Sequence, residues 1–149
     1  MDYEHTQSSR LTRMGLGLAI AVLTVAMLAT DEPGAQVVLG AVVVVLAASW
    51  LTFSALTVSL EGGQLLLRFG PGLIRRRIDL ASIQRVRPVR NSWWHGWGIR
   101  WTGEGWLWNV AGYDAVELEF SDGRRFRVGT DEPAALAAAL EQGLRRAPR

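Results

Sequence analysis

The side chains best able to bind a ligand are arginines concentrated in the middle of the chain. Residues 61–100 contain eight arginines against two acids, whereas residues 101–149 contain six arginines against eight acids. A guanidinium near an anionic membrane leaflet gains about 1 kcal/mol, and tryptophan prefers the headgroup level of a bilayer. The predicted contact residues, which we call the basic surface, are Arg75, Arg77, Arg85, Arg87, Arg90, Trp93 and Trp94.

The same pattern can arise without any ligand. Arginines accumulate on the cytoplasmic side of membrane helices whether or not they bind a partner, and the two tryptophans could instead be core residues. Arg76 shares a strand face with Ile74 and Ile78, so its side chain can point inward or pack its stem under the rim of the domain. Arg75 and Arg77 are therefore the better candidates within this arginine run.

Catalytic and metal-binding patterns are absent from the sequence. His5 lies in a polar N-terminal segment, and His95 lies in a Trp- and Gly-rich stretch without a nucleophile or metal-ligand spacing nearby. The chain has no cysteine, which excludes disulfides and thiolate metal sites. All 16 basic residues are arginine and the net charge is only +2, too small to argue for nucleic acid. We predict no cofactor, no metal site, no nucleic-acid partner and no catalytic residues.

Two long apolar segments precede the basic stretch. Residues 14–30 are 17 consecutive uncharged residues, and a second uncharged run extends from Ala35 to Leu60. A helix over 36–56 would be about 30 Å long, the thickness of a bilayer core. We predict a disordered cytoplasmic tail over 1–13 and an antiparallel transmembrane hairpin over 14–57, with helices at 14–30 and 36–56.

The charges that flank these segments predict their orientation. Arg10 and Arg13 precede the first helix, the connector contains only Asp31 and Glu32, and arginines follow the second helix. The positive-inside rule therefore places both termini and the following domain in the cytoplasm. One alternative is a signal peptide over 14–30, although Met27 occupies a position that cleavage after Ala29 would require to be small. The other is a pair of buried helices in a soluble protein.

From Ser54 onward the chain alternates apolar and polar residues between turns, as short antiparallel strands do. The last hairpin can be placed in register from face parity. A three-residue loop over 121–123, with Gly123 in the left-handed conformation, keeps both faces consistent and sets Leu118 opposite Phe126. The same register pairs charges on a face that we expect to be solvated: Glu117 with Arg127, and Glu119 with Arg125.

A C-terminal helix is predicted over 133–146. Pro133 suits its first turn after Thr130 or Asp131 as N-cap. Its apolar stripe consists of Leu136, Leu140 and Leu144. Residues at i, i+4 and i+8 lie on one helix face, so we expect this helix to plug the β domain.

Several stretches of this domain resemble the bacterial pleckstrin-homology-like (PH-like) domains, which are often fused to one or two membrane helices. They are residues 96–100, 109–112, the strand–Asp-Gly–strand unit at 116–128, and 129–133 before an Ala/Leu-rich helix. The resemblance covers about Ser54 to Arg146. It implies an α+β fold: the helical hairpin, then over 58–149 a bent barrel of about seven antiparallel strands capped by the C-terminal helix. The resemblance implies no chemistry. Together with the two apolar segments and their flanking charges, it predicts a multi-pass protein of the bacterial inner membrane.

These observations favour a membrane-anchored cytoplasmic binding or assembly module that interacts with another membrane protein or with itself. The first alternative is recognition of anionic lipid headgroups by the basic surface. An enzyme subunit is the third hypothesis, and it would require a concave site with convergent polar groups.

Overall fold

The computed structural model describes residues 3–146; residues 1–2 and 147–149 of the predicted tail and domain lie outside the described residues. The helices are α1 (Arg10–Ala29), α2 (Pro33–Phe53) and α3 (Pro133–Arg146). The strands are β1 (Tyr3–Ser8), β2 (Ala55–Glu61), β3 (Gln64–Phe69), β4 (Ile74–Asp79), β5 (Ile83–Arg90), β6 (Gly98–Trp101), β7 (Gly105–Asn109), β8 (Asp114–Phe120) and β9 (Arg125–Gly129). Short 3₁₀ turns occupy Leu80–Ser82 and Trp93–His95. The predicted α+β class is confirmed.

The first two helices form an antiparallel hairpin, and both are long and apolar enough to cross a membrane. The guanidinium carbon of Arg13 lies 6.0 Å from the Trp50 ring centroid, which brings the start of α1 beside the end of α2. Their bounds differ slightly from the predicted ones. Helix α1 begins at Arg10 because the Ser9 hydroxyl accepts a hydrogen bond from the Thr12 N–H, and α2 begins at Pro33, a residue suited to a first turn.

The prediction of a disordered tail over 1–13 is wrong for the part of it that the structure describes. Strand β1 pairs antiparallel with β2 along its whole length, from Tyr3 opposite Leu60 to Ser8 opposite Ala55. Its polar side chains find partners on the domain: the Gln7 amide donates to the Ala111 carbonyl at 3.1 Å, and His5 Nε2 lies 2.6 Å from Asp131 Oδ1. Backbone pairing to an apolar strand therefore orders a segment whose own composition is polar.

The strands form two sheets, and the predicted bent barrel of about seven antiparallel strands is corrected accordingly. One sheet has the order β1-β2-β3-β4 and the other has the order β5-β8-β9-β7-β6. Within residues 3–146 no strand of one sheet pairs with a strand of the other, so the sheets are not closed into a barrel. The pair β7–β9 is parallel, because β9 enters between β8 and β7. Pairing each strand with the next one along the sequence does not predict that β9 lies between β8 and β7.

One hydrophobic core lies between the two sheets and α3. Rings of Phe53, Phe69, Trp108 and Phe126 follow one another with centroids 5.4, 5.4 and 6.0 Å apart, from the end of α2 into the middle of the core. Helix α3 spans 133–146 as predicted, and its Leu136 and Leu140 are fully buried in the same core. The predicted packing of this helix onto the β domain is confirmed.

Candidate binding surface

The β domain has two distinguishable ends. Strand β1 leads into α1 and β2 follows α2, and their residues Ser8 and Ala55 are register partners; we call this the helix end. The β3–β4 turn also lies there, because a Cβ at Gly70 would collide with the carbonyl oxygen atoms of Leu51 and Thr52 in α2. The opposite end, where the β2–β3 turn lies, is the far end.

The second sheet is oriented by its contacts with β1. The hydrogen bond from Gln7 to Ala111 brings the β7–β8 loop to the helix end. Arg90 and Asp114 lie beside this loop, with Arg90 Nη1 4.0 Å from Asp114 Oδ1 and the guanidinium carbon of Arg90 5.9 Å from the Tyr113 ring centroid. The loop 91–97 that follows Arg90 therefore begins at the helix end, and it returns there to β6.

This loop carries the two tryptophans of the basic surface. Trp93 and Trp94 are 75% and 67% exposed, with ring centroids 5.8 Å apart in an edge-on arrangement. The interpretation of these two side chains as core residues is therefore wrong. Sequence reasoning left three further exposed tryptophans out of the basic surface: Trp97, Trp101 and Trp106. Alternation alone cannot reveal their exposure, because it does not show which elements cover a sheet face.

The arginines of the basic surface lie on the edge strands of two different sheets. Arg75 and Arg77 are exposed on β4, and Arg85, Arg87 and Arg90 are exposed on β5. Among the described residues, Arg75, Arg77 and Arg85 form no salt bridge with a carboxylate. Their charge is therefore available to a partner. Arg75 lies near the helix end, close to Leu73, which is 75% exposed in the β3–β4 turn.

Arg87 differs from the others because it is already engaged within the protein. Its guanidinium donates to Glu117 Oε1 at 2.6 and 3.0 Å, while Arg127 Nε donates to Glu117 Oε2 at 2.8 Å. Burial alone would raise the pKa of Glu117, but hydrogen bonds and charge from Arg87 and Arg127 hold it below its ordinary value. The predicted register of this hairpin is confirmed, with Leu118 opposite Phe126 and Glu117 opposite Arg127.

The expectation that this charged face is solvated is wrong at its centre. Glu117 is only 2% exposed. Glu119 and Arg125 are register partners as predicted, yet Arg125 Nη1 forms its ion pair with Glu104 Oε2 at 3.3 Å. The β6–β7 turn contributes Glu104, so a residue from outside the hairpin takes part in the charge pairing.

Arg76 points inward, one of the two orientations expected from the alternation along β4. Its guanidinium carbon lies 4.7 Å from the ring centroid of Phe126, a core residue that is 1% exposed. This side chain borders a cleft of about 350 Å³ at the far end, between β4 of one sheet and the β6–β7 and β8–β9 turns of the other. We call it the far-end cleft. Sequence reasoning did not find it, because the two walls are far apart along the chain.

Metal-binding geometry is not found in the part of the chain that the structure describes: no three His, Cys, Asp or Glu side chains form a group able to hold an ion. His5 is bound to the start of α3, with Nδ1 3.5 Å from Glu132 Oε2 in addition to its contact with Asp131. His95 lies in the 3₁₀ turn Trp93–His95, beside Trp94. Comparison of the chain with known protein-family descriptions and with curated proteins finds no match.

Proposed function

We propose that this protein is a membrane-anchored binding module whose PH-like domain assembles with another membrane protein or with a second copy of itself. The observation that supports this most directly is the exposure of Trp93 and Trp94 at the helix end. Tryptophan is enriched at interaction hot spots, and clustered exposed aromatic surface is unusual without a partner. The charged groups of the basic surface are arginines, which suit binding more than acid–base catalysis, so we propose no enzymatic role.

The proposed setting is the bacterial inner membrane, with α1 and α2 spanning it and both termini in the cytoplasm. Support comes from the length and hydropathy of the two helices, from Arg10 and Arg13 before α1, and from the acidic connector between the helices. Assignment of the β domain as PH-like rests on the sequence resemblance and on the C-terminal helix that packs against the core.

Site-directed photocrosslinking in native membranes tests the assembly role. A crosslinking amino acid placed at Trp94 should yield discrete protein adducts, and a homodimer-sized adduct would identify self-association. The matched control position is Glu61, the exposed last residue of β2 at the far end, which should give none. Equal adducts from both positions, or lipid adducts alone at Trp94, would contradict assembly through this surface.

A second candidate function, recognition of anionic lipid headgroups, is favoured by one specific observation. Arg75 has no carboxylate partner among the described residues, and it follows exposed Leu73 in a turn that contacts the end of α2. Arg77 lies two residues further along β4, about 7 Å farther from the helix end, within the reach of about 10 Å that screening at 0.1 M salt allows. Both residues can therefore interact with a leaflet, and Arg75 should contribute more.

Brominated lipids in nanodiscs can measure this contact on the full chain. Brominated anionic lipid should quench tryptophan fluorescence more than brominated zwitterionic lipid, and added salt should reduce the difference. The double variant Arg75→Gln/Arg77→Gln should lose most of this difference in quenching. A loss of about 1 kcal/mol per arginine corresponds to an affinity for anionic lipid that is about thirtyfold weaker for two arginines. Arg124→Gln at the far end is the control. Equal quenching by both lipids would exclude headgroup recognition.

A further inference from the structure

The far-end cleft is lined by more positive than negative groups, and its acids are already engaged. Its arginines are Arg76, Arg77, Arg124 and Arg125, against Asp79, Glu104 and Asp122. Asp122 Oδ2 lies 2.6 Å from Arg124 Nε, and Glu104 binds Arg125 and Arg127. Asp79 accepts a hydrogen bond from the Ala81 N–H. The carboxylates of the cleft are thus satisfied without Arg76 or Arg77.

Arg76 is the group in this cleft that most needs a counter-ion. It is half-buried over the Phe126 ring, and among the described residues it forms no salt bridge. Burial first, and the nearby charge of Arg124 second, lower the pKa of its guanidinium. A partly desolvated charge without a counter-ion is costly, whereas an oxyanion bound by the planar guanidinium can form two parallel hydrogen bonds. Arg77 lines the same cleft and forms no salt bridge among the described residues, and this second cation favours an anion with more than one charge.

Aromatic surface adjoins this charge. Trp101 and Trp106 line the same cleft, are 61% and 44% exposed, and lie edge-on with ring centroids 5.6 Å apart. Together they offer an apolar wall several ångströms across beside the guanidinium. A cleft that combines an apolar wall with a few oriented polar groups is the usual form of a small-molecule site.

We propose that the far-end cleft binds a phosphorylated small molecule, with its phosphate on Arg76 and its apolar or aromatic body against Trp101 and Trp106. Strand β4 runs from the helix end at Ile74 to the far end at Asp79, and the cleft borders the far half of this strand. The cleft therefore lies away from the two apolar helices, so we expect its ligand to come from solution and not from the bilayer. This site does not depend on the helix-end surface proposed for assembly.

Binding of phenyl phosphate to the full chain in dodecyl maltoside, a phosphate-free detergent, tests the proposal by titration calorimetry at low salt. Phenyl phosphate should bind more tightly than inorganic phosphate, which lacks the aromatic body, and more tightly than benzoate, which carries a single charge. Arg76→Gln should weaken phenyl phosphate binding at least tenfold. The matched control, Arg85→Gln, removes an exposed arginine outside the cleft and should change the affinity less than twofold.

Thermal unfolding separates this role from a structural one. Phenyl phosphate should raise the Tm of the wild-type protein and of Arg85→Gln, but not that of Arg76→Gln. Without ligand, Arg76→Gln should unfold at the same temperature as the wild type or higher. If it unfolds much earlier, Arg76 is structural and the proposal fails. Arg124 is 76% exposed, so Arg124→Gln should fold normally and weaken binding several-fold.

Three other results would overturn the proposal. They are unchanged phenyl phosphate affinity in Arg76→Gln or in Arg124→Gln, no binding at millimolar concentration, and equal affinity for benzoate. Moving the protein into nanodiscs of anionic lipid should leave the affinity unchanged. Strong competition by that lipid would instead assign the cleft to a headgroup and contradict a ligand from solution. None of these outcomes affects the crosslinking test at Trp94.

Discussion

At the residue scale, the carboxylate of Glu117 is a buried charge whose contribution to the stability of the β domain can be measured. It is 2% exposed and accepts hydrogen bonds from two arginines on neighbouring strands. Glu117→Gln would leave the largely buried Arg127 guanidinium with the longer contact to Glu104, at 3.4 Å, as its carboxylate partner among the described residues. We expect the free energy of unfolding to fall by about 2–3 kcal/mol, measured by chemical denaturation of the full chain.

A matched control lies two residues along the same strand. Glu119 belongs to the same face of β8 but forms no salt bridge among the described residues. Glu119→Gln should therefore change the free energy of unfolding by less than about 0.5 kcal/mol. Similar losses from both variants would show that the Arg87–Glu117–Arg127 arrangement contributes no more than an ordinary surface charge.

The same carboxylate predicts how stability depends on pH. Its pKa is lowered in the folded protein from an ordinary value of 4.5. The unfolded chain therefore binds more protons in acid, so the contribution of Glu117 is complete above about pH 4.5 and is lost as the pH falls through the folded-state pKa. Below pH 4.5 the wild type should lose stability more steeply than Glu117→Gln. Parallel pH profiles of the two proteins would contradict this.

Side-chain direction was predictable at several positions, whereas burial was not. Alternation and turn length predicted the pairing of Leu118 with Phe126. Alternation along β4 also indicated that the Arg76 side chain could point inward. Leu107, in contrast, is fully buried on the sheet face that also carries Arg127. Periodicity assigns a residue to a face, but the elements that cover that face come from other parts of the chain.

At the scale of elements, α3 supplies part of the core and its buried positions can be tested individually. Leu140 is fully buried, so Leu140→Asp would place a charge among apolar side chains at a cost of several kcal/mol. This penalty is comparable to the whole stability of a small domain. We expect a β domain that limited proteolysis degrades, on helices that remain protected in the membrane.

Ala138 provides the control on the same helix. It is exposed, and Ala138→Asp introduces the same charge two residues away. We expect proteolysis of this variant to resemble that of the wild type. If Ala138→Asp and Leu140→Asp were degraded equally fast, the charge itself, and not its burial against the sheets, would be responsible.

The strands that flank the helical hairpin make the β domain inseparable from it. A fragment beginning at Glu61 would retain every residue of the basic surface, but it would lack β1 and most of β2. Strand β2 contributes Leu56, Val58 and Leu60 to the core. We therefore expect this fragment to be unfolded in its amide NMR spectrum, and a dispersed spectrum would contradict the role assigned to β2.

The N-terminal strand shows why such a dependence is hard to recognise in a sequence. Its residues are mostly polar and lack the apolar alternation of the other strands. Gln7 and His5 instead bind the domain through hydrogen bonds. Ser8 of β1 pairs with Ala55 of β2, which lies 47 residues further along the sequence. Only the antiparallel hairpin between them brings the two together, and hydropathy gives no indication of the pairing.

At the scale of the whole molecule, the two candidate sites lie at opposite ends of one continuous core. The aromatic series from Phe53 to Phe126 extends from the end of α2 to the side chain that underlies Arg76. The helix end offers the exposed Trp93 and Trp94 and also Arg75, which has no carboxylate partner among the described residues, whereas the far end offers a partly open cleft. The proposed module would thus bind a partner at one end and a soluble ligand at the other.

The proposed binding of a partner and a soluble ligand in the cytoplasm depends on the orientation of the molecule in the membrane. A topology reporter fused after Arg149 should be active only in its cytoplasmic form, because Arg10, Arg13 and the arginines after α2 remain on the inner side. The control is a reporter inserted between Asp31 and Glu32, which should be active only in its periplasmic form. A periplasmic signal from the C-terminal fusion would exclude the positive-inside hairpin and favour a cleaved first segment. Cytoplasmic signals from both positions would show that the hairpin does not cross the bilayer.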